Sequence, residues 1–339
     1  MSEKIHPRKF SLRKHWHGLE QLQHFPGQKY EFAPGPRQVT MYVKEPGNGI
    51  NSNTGFMLML HNWGGTYTMT VPWCDALSDR YNVIAVSVDY LQSGQAKYDK
   101  IPYDHGLLQA MDCLRALYQI QEQLKAKGVA FNPRRVYSAG GSGGGNVSLM
   151  VNKLAPSTFS CIVDMCGMPG LTDDIAFGRG KLNAGYSKDA DSPKYLTPAR
   201  QEIRDPGYLP HLQQQQKLNP DNKVIIVHGQ DDEYCSVIDK ITIFQNMVKA
   251  KFRPTGNFIT KADLDGVVLT SSGHPLGDRQ AIIIKYADLY LKENGTLAAS
   301  VKNPTDFETA GKVEFPVTGG SYIVDFSGTP TLIWHKNQS

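Results

Sequence analysis

Apolar residues change period along this chain in a regular order. "RQVTMYVKE", residues 37–45, alternates apolar and polar positions as a half-buried strand does. "GFMLMLHNW" at 55–63 and "NVIAVSVDY" at 82–90 are continuous apolar runs, the pattern of strands covered on both faces. A short helical stretch at about 68–79 separates them. Residues 105–127 place apolar side chains at helical spacing and stop at Gly128. "RRVYSAG" then predicts a strand and "NVSLMVNKLA" a helix. "SCIVDMCG", "KVIIVHG" and "GNFITKADL" predict three more strands, with helices at about 236–250 and 278–293 after the last two. Strands alternating with helices predict an α/β domain built on a mostly parallel sheet with helices on both faces.

Three segments stand outside this rhythm. Residues 1–36 are polar and rich in His and Pro, which predicts an extension draped over the core. Residues 169–222, with a "QQQQ" run at 213–216, predict a polar insert over the sheet edge, a cap or lid. Residues 300–339 hold two short β-like runs, "GSYIVDF" and "TPTLIWHK", which predict a C-terminal β-hairpin packed on the domain. The domain proper is expected over 37–299. There is no internal repeat, so a solenoid is excluded.

Composition narrows the function. A net charge of +4 with scattered Lys and Arg gives no nucleic-acid footprint, and the basic stretch "HPRKFSLRKHWH" predicts a solvated extension. No apolar run nears the roughly 20 residues that span a bilayer, so no membrane partner is expected. The start of the chain has no signal-type apolar stretch, which points to a cytoplasmic protein. Five cysteines without zinc-type pairing predict buried free thiols in a reducing compartment.

The chemistry concentrates at "SAGGSGGGN", residues 138–146. Lying between a buried strand and a helix, it is no linker. Gly140 and Gly145 have Walker spacing, but Asn146 and Val147 stand where Lys and Ser/Thr would follow. A dinucleotide fingerprint fails at Asn146 and lacks its acidic partner. What fits is Gly140-x-Ser142-x-Gly144 on a strand-to-helix turn, which exposes a serine hydroxyl above the sheet. Such a hydroxyl needs a base, and the base an orienting acid. Asp231 and Asp232 follow the strand ending in His228-Gly229, and His274 lies in a loop before the last helix.

With these motifs in this order, residues 37–295 resemble the α/β-hydrolase-fold serine hydrolases, in their esterase and prolyl-oligopeptidase-type branch. The family pattern H-G-x-x-D carries the acid onto Asp232, with Asp231 one residue away as the alternative. It carries the base onto His274. The resemblance also implies an oxyanion hole of two backbone N–H groups. One is that of Gly143; the other comes from "HNWGGTY", with Trp63 preferred over Asn62. Asn62 stands where many relatives have Gly. Asn62, Trp63 and Tyr67 are the expected substrate contacts, aromatic core packing being the plainer reading of Trp63 and Tyr67. An N-cap is the plainer reading of Asp232. His61 and His228 are expected to pack turns, and "HWH" at 15–17 is too little for a metal site.

The expected function is a serine hydrolase forming an acyl-enzyme, without metal or organic cofactor. A polar insert argues against a lipid droplet and for a small water-soluble ester, an acylated sugar among them, making a carboxylesterase or deacetylase. A prolyl-oligopeptidase-like peptidase is the alternative, set second because about 36 residues precede the first expected strand. A non-catalytic binding protein of this fold is the other; it would be expected to have lost one of the three side chains.

Overall fold

The computed structural model describes residues 17–95 and 101–337. Most of the basic stretch, with His6 and His15, lies outside them. An eight-stranded sheet is formed by β1 (Leu22–Pro26), β2 (Gln38–Lys44), β3 (Gly55–Leu60), β4 (Val83–Val88), β5 (Val136–Gly141), β6 (Cys161–Met165), β7 (Lys223–Gly229) and β8 (Thr255–Ile259), in the spatial order β1-β2-β4-β3-β5-β6-β7-β8. β1–β2 and β2–β4 pair antiparallel, and every later pair is parallel.

The continuous apolar strands are explained by two cores, one on each face. Phe56, Leu58 and Leu60 of β3 join a cluster with helices α2 (Leu107–Lys127) and α3 (Gly143–Leu154). The intervening Met57 and Met59 join Cys74, Leu77 and Tyr81 of α1 (Val71–Tyr81), and Ile282, Ile283, Ala287 and Leu291 of the last long helix, Arg279–Leu291. Alternate side chains of a strand point to opposite faces, so a strand covered on both sides must be apolar throughout.

Two expectations need correction, and a third is extended. Residues 22–26, assigned to an extension, form the edge strand β1; buried Gln23 on its inward side hides the alternation. The insert lies between β6 and β7, which are neighbours within the sheet, so it is a crossover above the strand ends rather than an edge cover. It holds α4 (Asp173–Ala176), α5 (Pro198–Ile203) and α6 (Leu209–Leu218), with the glutamine run inside α6. Helices α7 (Val237–Lys249) and α8 (Arg279–Leu291) follow, then α9 (Asp306–Thr309). The tail forms the expected hairpin, β10 (Gly320–Asp325) with β11 (Thr331–Lys336), to which β9 (Lys312–Val317) adds a third antiparallel strand, ordered β11-β10-β9. The sequence concealed β9 because it contains Pro316, which an edge strand tolerates.

All five cysteines are buried and unpaired. No helix of the described residues is long and apolar enough to cross a membrane. Burial lowers the imidazoles of His61, His105 and His228 to a pKa of about 4, and that of His211 to about 3. In the unfolded chain these groups take up protons near the ordinary value of about 6.5. Their folded values are depressed, so their contribution to stability is present above that value and lost as pH falls below it. Urea midpoints are therefore expected to be flat above neutrality and to drop steeply through the mildly acidic range. A midpoint insensitive to acid down to about pH 4.5 would contradict the buried neutral state of these rings.

Candidate active site

Ser142 sits where β5 hands over to α3, at φ 56° and ψ −120°. A left-handed conformation at a non-glycine residue is strained, and it persists only where its neighbours enforce it. Here the neighbours are backbone. The Ser142 N–H donates to the Met165 carbonyl at 3.0 Å, and its own carbonyl accepts from Asn146 and Met168. A Cβ on Gly140 would lie 2.3 Å from the Gly144 oxygen, and one on Gly144 would lie 2.2 Å from the Leu60 oxygen. Only glycine fits at either place. Gly144→Ala is accordingly expected to cost about 4 kcal/mol or more of stability, read from thermal melting. A melt superimposable on wild type would mean that the Leu60 and His61 carbonyls yield freely.

Two loops bring the partners of Ser142. After β7, Asp232 is turned so that Oδ1 accepts the Tyr234 and Cys235 N–H groups, each at 2.9 Å. Its Oδ2 accepts the Nδ1–H of His274 at 2.8 Å. Across the ring, His274 Nε2 accepts the Ser142 hydroxyl at 3.0 Å. Tautomer and donor follow from the carboxylate being an acceptor only. The serine is 8% exposed and the histidine side chain 19%, so the hydroxyl lies near the surface beside a reachable imidazole.

Of the adjacent aspartates, Asp232 meets His274. Asp231 instead accepts from the Ser272 hydroxyl at 2.7 Å and donates its N–H to the Ser272 carbonyl at 2.9 Å, tying the two loops together. Burial pushes the Asp232 carboxyl upward, but the hydrogen bond from His274 and those from Cys235 and Tyr234 outweigh it, and the pKa ends below the ordinary value. The carboxylate thus stays ionised and aligned. His228 packs behind it, its Nε2–H donating to the Cys235 carbonyl at 2.9 Å.

Gly143 opens α3, so its N–H is among those without an acceptor inside the helix. A Cβ on Gly143 would lie 2.7 Å from the Trp63 nitrogen, so the two amides named from the sequence are neighbours beside Ser142. Asn62 precedes them and its carbonyl closes the turn by accepting from Gly65. The Trp63 ring stacks on Tyr103, centroids 3.9 Å apart and planes 6° apart. Both pack with Met168, Leu171, Ile175, Tyr186 and Leu196, so the polar insert has an apolar underside. Tyr67, partly buried, packs against the core cluster of α1, and its N–H donates to Asp89 Oδ1 at 2.6 Å.

Four neighbours carry no signal in the sequence. Tyr234 is 51% exposed, with its ring centroid 5.2 Å from that of His274. Arg279 donates to the His274 carbonyl at 3.4 Å from the start of α8. Cys166 and Cys235 lie beside Asp232: donor atoms of Cys166, His228 and Asp232 form one group within 4.8 Å, and those of Asp232, Cys235 and His274 another. No sequence signal marks these, because the spacing from 166 to 235 is set only by the crossover between β6 and β7.

A profile of the prolyl oligopeptidase family matches residues 92–291. Among curated proteins none matches the chain. Solved structures resemble it in fold at low identity. An acylaminoacyl peptidase of Pyrococcus horikoshii has a TM-score of 0.54 at 14% identity, over 81% of this chain and 42% of that one. A candidate dipeptidyl aminopeptidase IV of Bacteroides ovatus has 0.53 at 15%, over 78% and 35%. An arylesterase has 0.50 at 11%, over 79% and 82%. The chain thus spans less than half the length of these two peptidases. The fold is the α/β-hydrolase fold, as expected from the motif order.

Proposed function

Because the chain belongs to the prolyl oligopeptidase family, whose members share the α/β-hydrolase fold and a serine nucleophile, we propose that Ser142 is the nucleophile of this hydrolase, with His274 its base and Asp232 the acid that orients the base. The observation that carries this is the unbroken hydrogen-bonded line Ser142–His274–Asp232, at 3.0 and 2.8 Å. In the forward step the Ser142 hydroxyl adds to a carbonyl carbon while His274 Nε2 takes its proton. The Gly143 and Trp63 amides hold the oxyanion, and each such donor is worth about 2.7–4 kcal/mol in the transition state. His274 then gives the proton to the leaving group, and water repeats the cycle on the acyl-enzyme.

The substrate reading is a small ester: this chain would act as a carboxylesterase or deacetylase. Supporting it is the apolar cluster of Trp63, Tyr103 and the insert next to the neighbouring Trp63 and Gly143 amides, which suits an acyl group. An alcohol also leaves a tetrahedral intermediate more readily than an amine. Family membership favours a second reading, peptide hydrolysis, in which an amine leaves. To separate them, the full chain is labelled with a fluorophosphonate and assayed on p-nitrophenyl acetate and on a proline-containing peptide p-nitroanilide. Labelling at Ser142 with faster ester turnover supports the first reading, and higher kcat/KM on the anilide supports the second. Folded protein that reacts with neither probe nor substrate would remove the acyl-enzyme proposal and leave a binding role.

A further inference from the structure

Asp232 has a buried thiol on either side, and hydrolysis uses neither. In the group of Cys166, His228 and Asp232, the nitrogen facing the carboxylate is His228 Nε2 at 3.6 Å, and its proton is committed to the Cys235 carbonyl. That nitrogen cannot also ligate. The group of Asp232, Cys235 and His274 is different. Its donor atoms lie within 4.8 Å of one another, and His274 is partly exposed, which gives an ion a way in.

We propose that Asp232, Cys235 and His274 form a site for a borderline-soft divalent cation such as zinc or cadmium, and that filling it switches the hydrolase off. The inhibitory part rests on the reading of Asp232 and His274 as acid and base. Sulfur, nitrogen and oxygen donors together are a set that zinc accepts, whereas magnesium and calcium take oxygen. Tetrahedral zinc with these bond lengths puts its ligand atoms roughly 3.3–3.6 Å apart. The Asp232 Oδ2–His274 Nδ1 pair, at 2.8 Å, therefore has to open by about half an ångström and the thiol to close in by up to about an ångström, both within the reach of side-chain rotation.

Charge explains why a buried thiol would take part. Burial first, then the Asp232 carboxylate, hold the Cys235 thiol far above its ordinary pKa, since a thiolate there would be a second buried anion. A dication with one thiolate and one carboxylate is neutral, so the surroundings that oppose the bare thiolate do not oppose the complex. Binding releases one proton, that of the thiol, to solvent. His274 stays neutral: the ion takes Nδ1, and the ring proton moves to Nε2. Nε2 then presents a donor to Ser142 instead of an acceptor, and the serine loses its base.

The test titrates the full chain with cadmium and follows the ultraviolet cadmium–thiolate band. Zinc and magnesium are compared in parallel as inhibitors of fluorophosphonate labelling at Ser142. The expected result is a band saturating at one ion per chain, weakened by about tenfold or more in Cys235→Ser and retained in Cys166→Ser. Zinc is expected to slow labelling of wild type and not of Cys235→Ser, with magnesium inert in both. Cys235→Ala serves as a second variant should the serine variant misfold. An undiminished band without Cys235, a band that depends on Cys166 instead, or equal inhibition by magnesium would overturn the site. Cadmium bound through Cys235 by a protein that neither labels nor hydrolyses would leave the cation site standing while removing the proposed function and with it the switch.

Discussion

Ser142→Ala is expected to lower kcat on p-nitrophenyl acetate by about ten-thousand-fold or more, with the far-ultraviolet spectrum and melting curve unchanged. The size follows from the proposed role of Ser142, since the variant loses the atom that would form the bond. What remains is substrate binding and the two amides beside the turn, which alone give only a small part of the rate. The fold should tolerate the change, because Ser142 already holds a Cβ at φ 56° and its backbone bonds to Met165, Asn146 and Met168 do not involve the hydroxyl. Labelling by fluorophosphonate should vanish in the same variant. Activity within tenfold of wild type would place the nucleophile elsewhere, and the labelled peptide of the wild type would say where.

Asp232→Asn is expected to have the next largest effect, a fall in kcat of about ten-thousand-fold near neutrality. The substitution keeps the shape, and an amide oxygen can still take the N–H groups of Tyr234 and Cys235. The other half of the amide is a donor, however, and it faces His274 Nδ1. The ring then turns its lone pair to residue 232 and its proton to Ser142, the wrong tautomer for a base. The stability consequence has a definite sign. Asp232 has a depressed pKa in the fold, so its ionised form stabilises the native state above the ordinary carboxylate range of about 3.9. That contribution disappears as pH falls through the depressed value. The gap in stability between wild type and Asp232→Asn should therefore be open at neutral pH and close in strong acid, as read by urea unfolding. If Asp231→Asn were the inactive variant and Asp232→Asn retained its rate, the acid would have to be moved to Asp231.

Much of this molecule is written in local pattern. The strand-helix alternation from residue 37 to 295 yields the sheet, because strands covered on both faces have to be apolar throughout and helices covered on one side have to repeat near 3.6 residues. The turn at Ser142 is legible for a related reason: only glycine at 140 and 144 lets backbone pass so close to backbone. The parts that were misread are those where local pattern is weak. β1 carries Gln23 on its inward side, satisfied by the Glu20 carbonyl at 2.9 Å and by the Gln123 side chain. β9 carries a proline. The insert looked polar throughout, since Leu171, Ile175, Tyr186 and Leu196 are spread along a long segment and meet only when it folds back over the site.

The sequence by itself determined the class of fold, the order of Ser142, Asp232 and His274 along the chain, and the glycines that permit the turn. These are set by period, by residue type and by short-range sterics. The tertiary structure alone decided which of two adjacent aspartates faces His274, that the Trp63 ring stacks on Tyr103, and that two thiols lie near Asp232. Each of these depends on how loops from distant strands lean together. A one-residue rotation in a loop exchanges Asp231 for Asp232 without disturbing any pattern in the chain; the Asp231 bonds to the Ser272 loop and the Tyr234 and Cys235 amides on Asp232 select one of them.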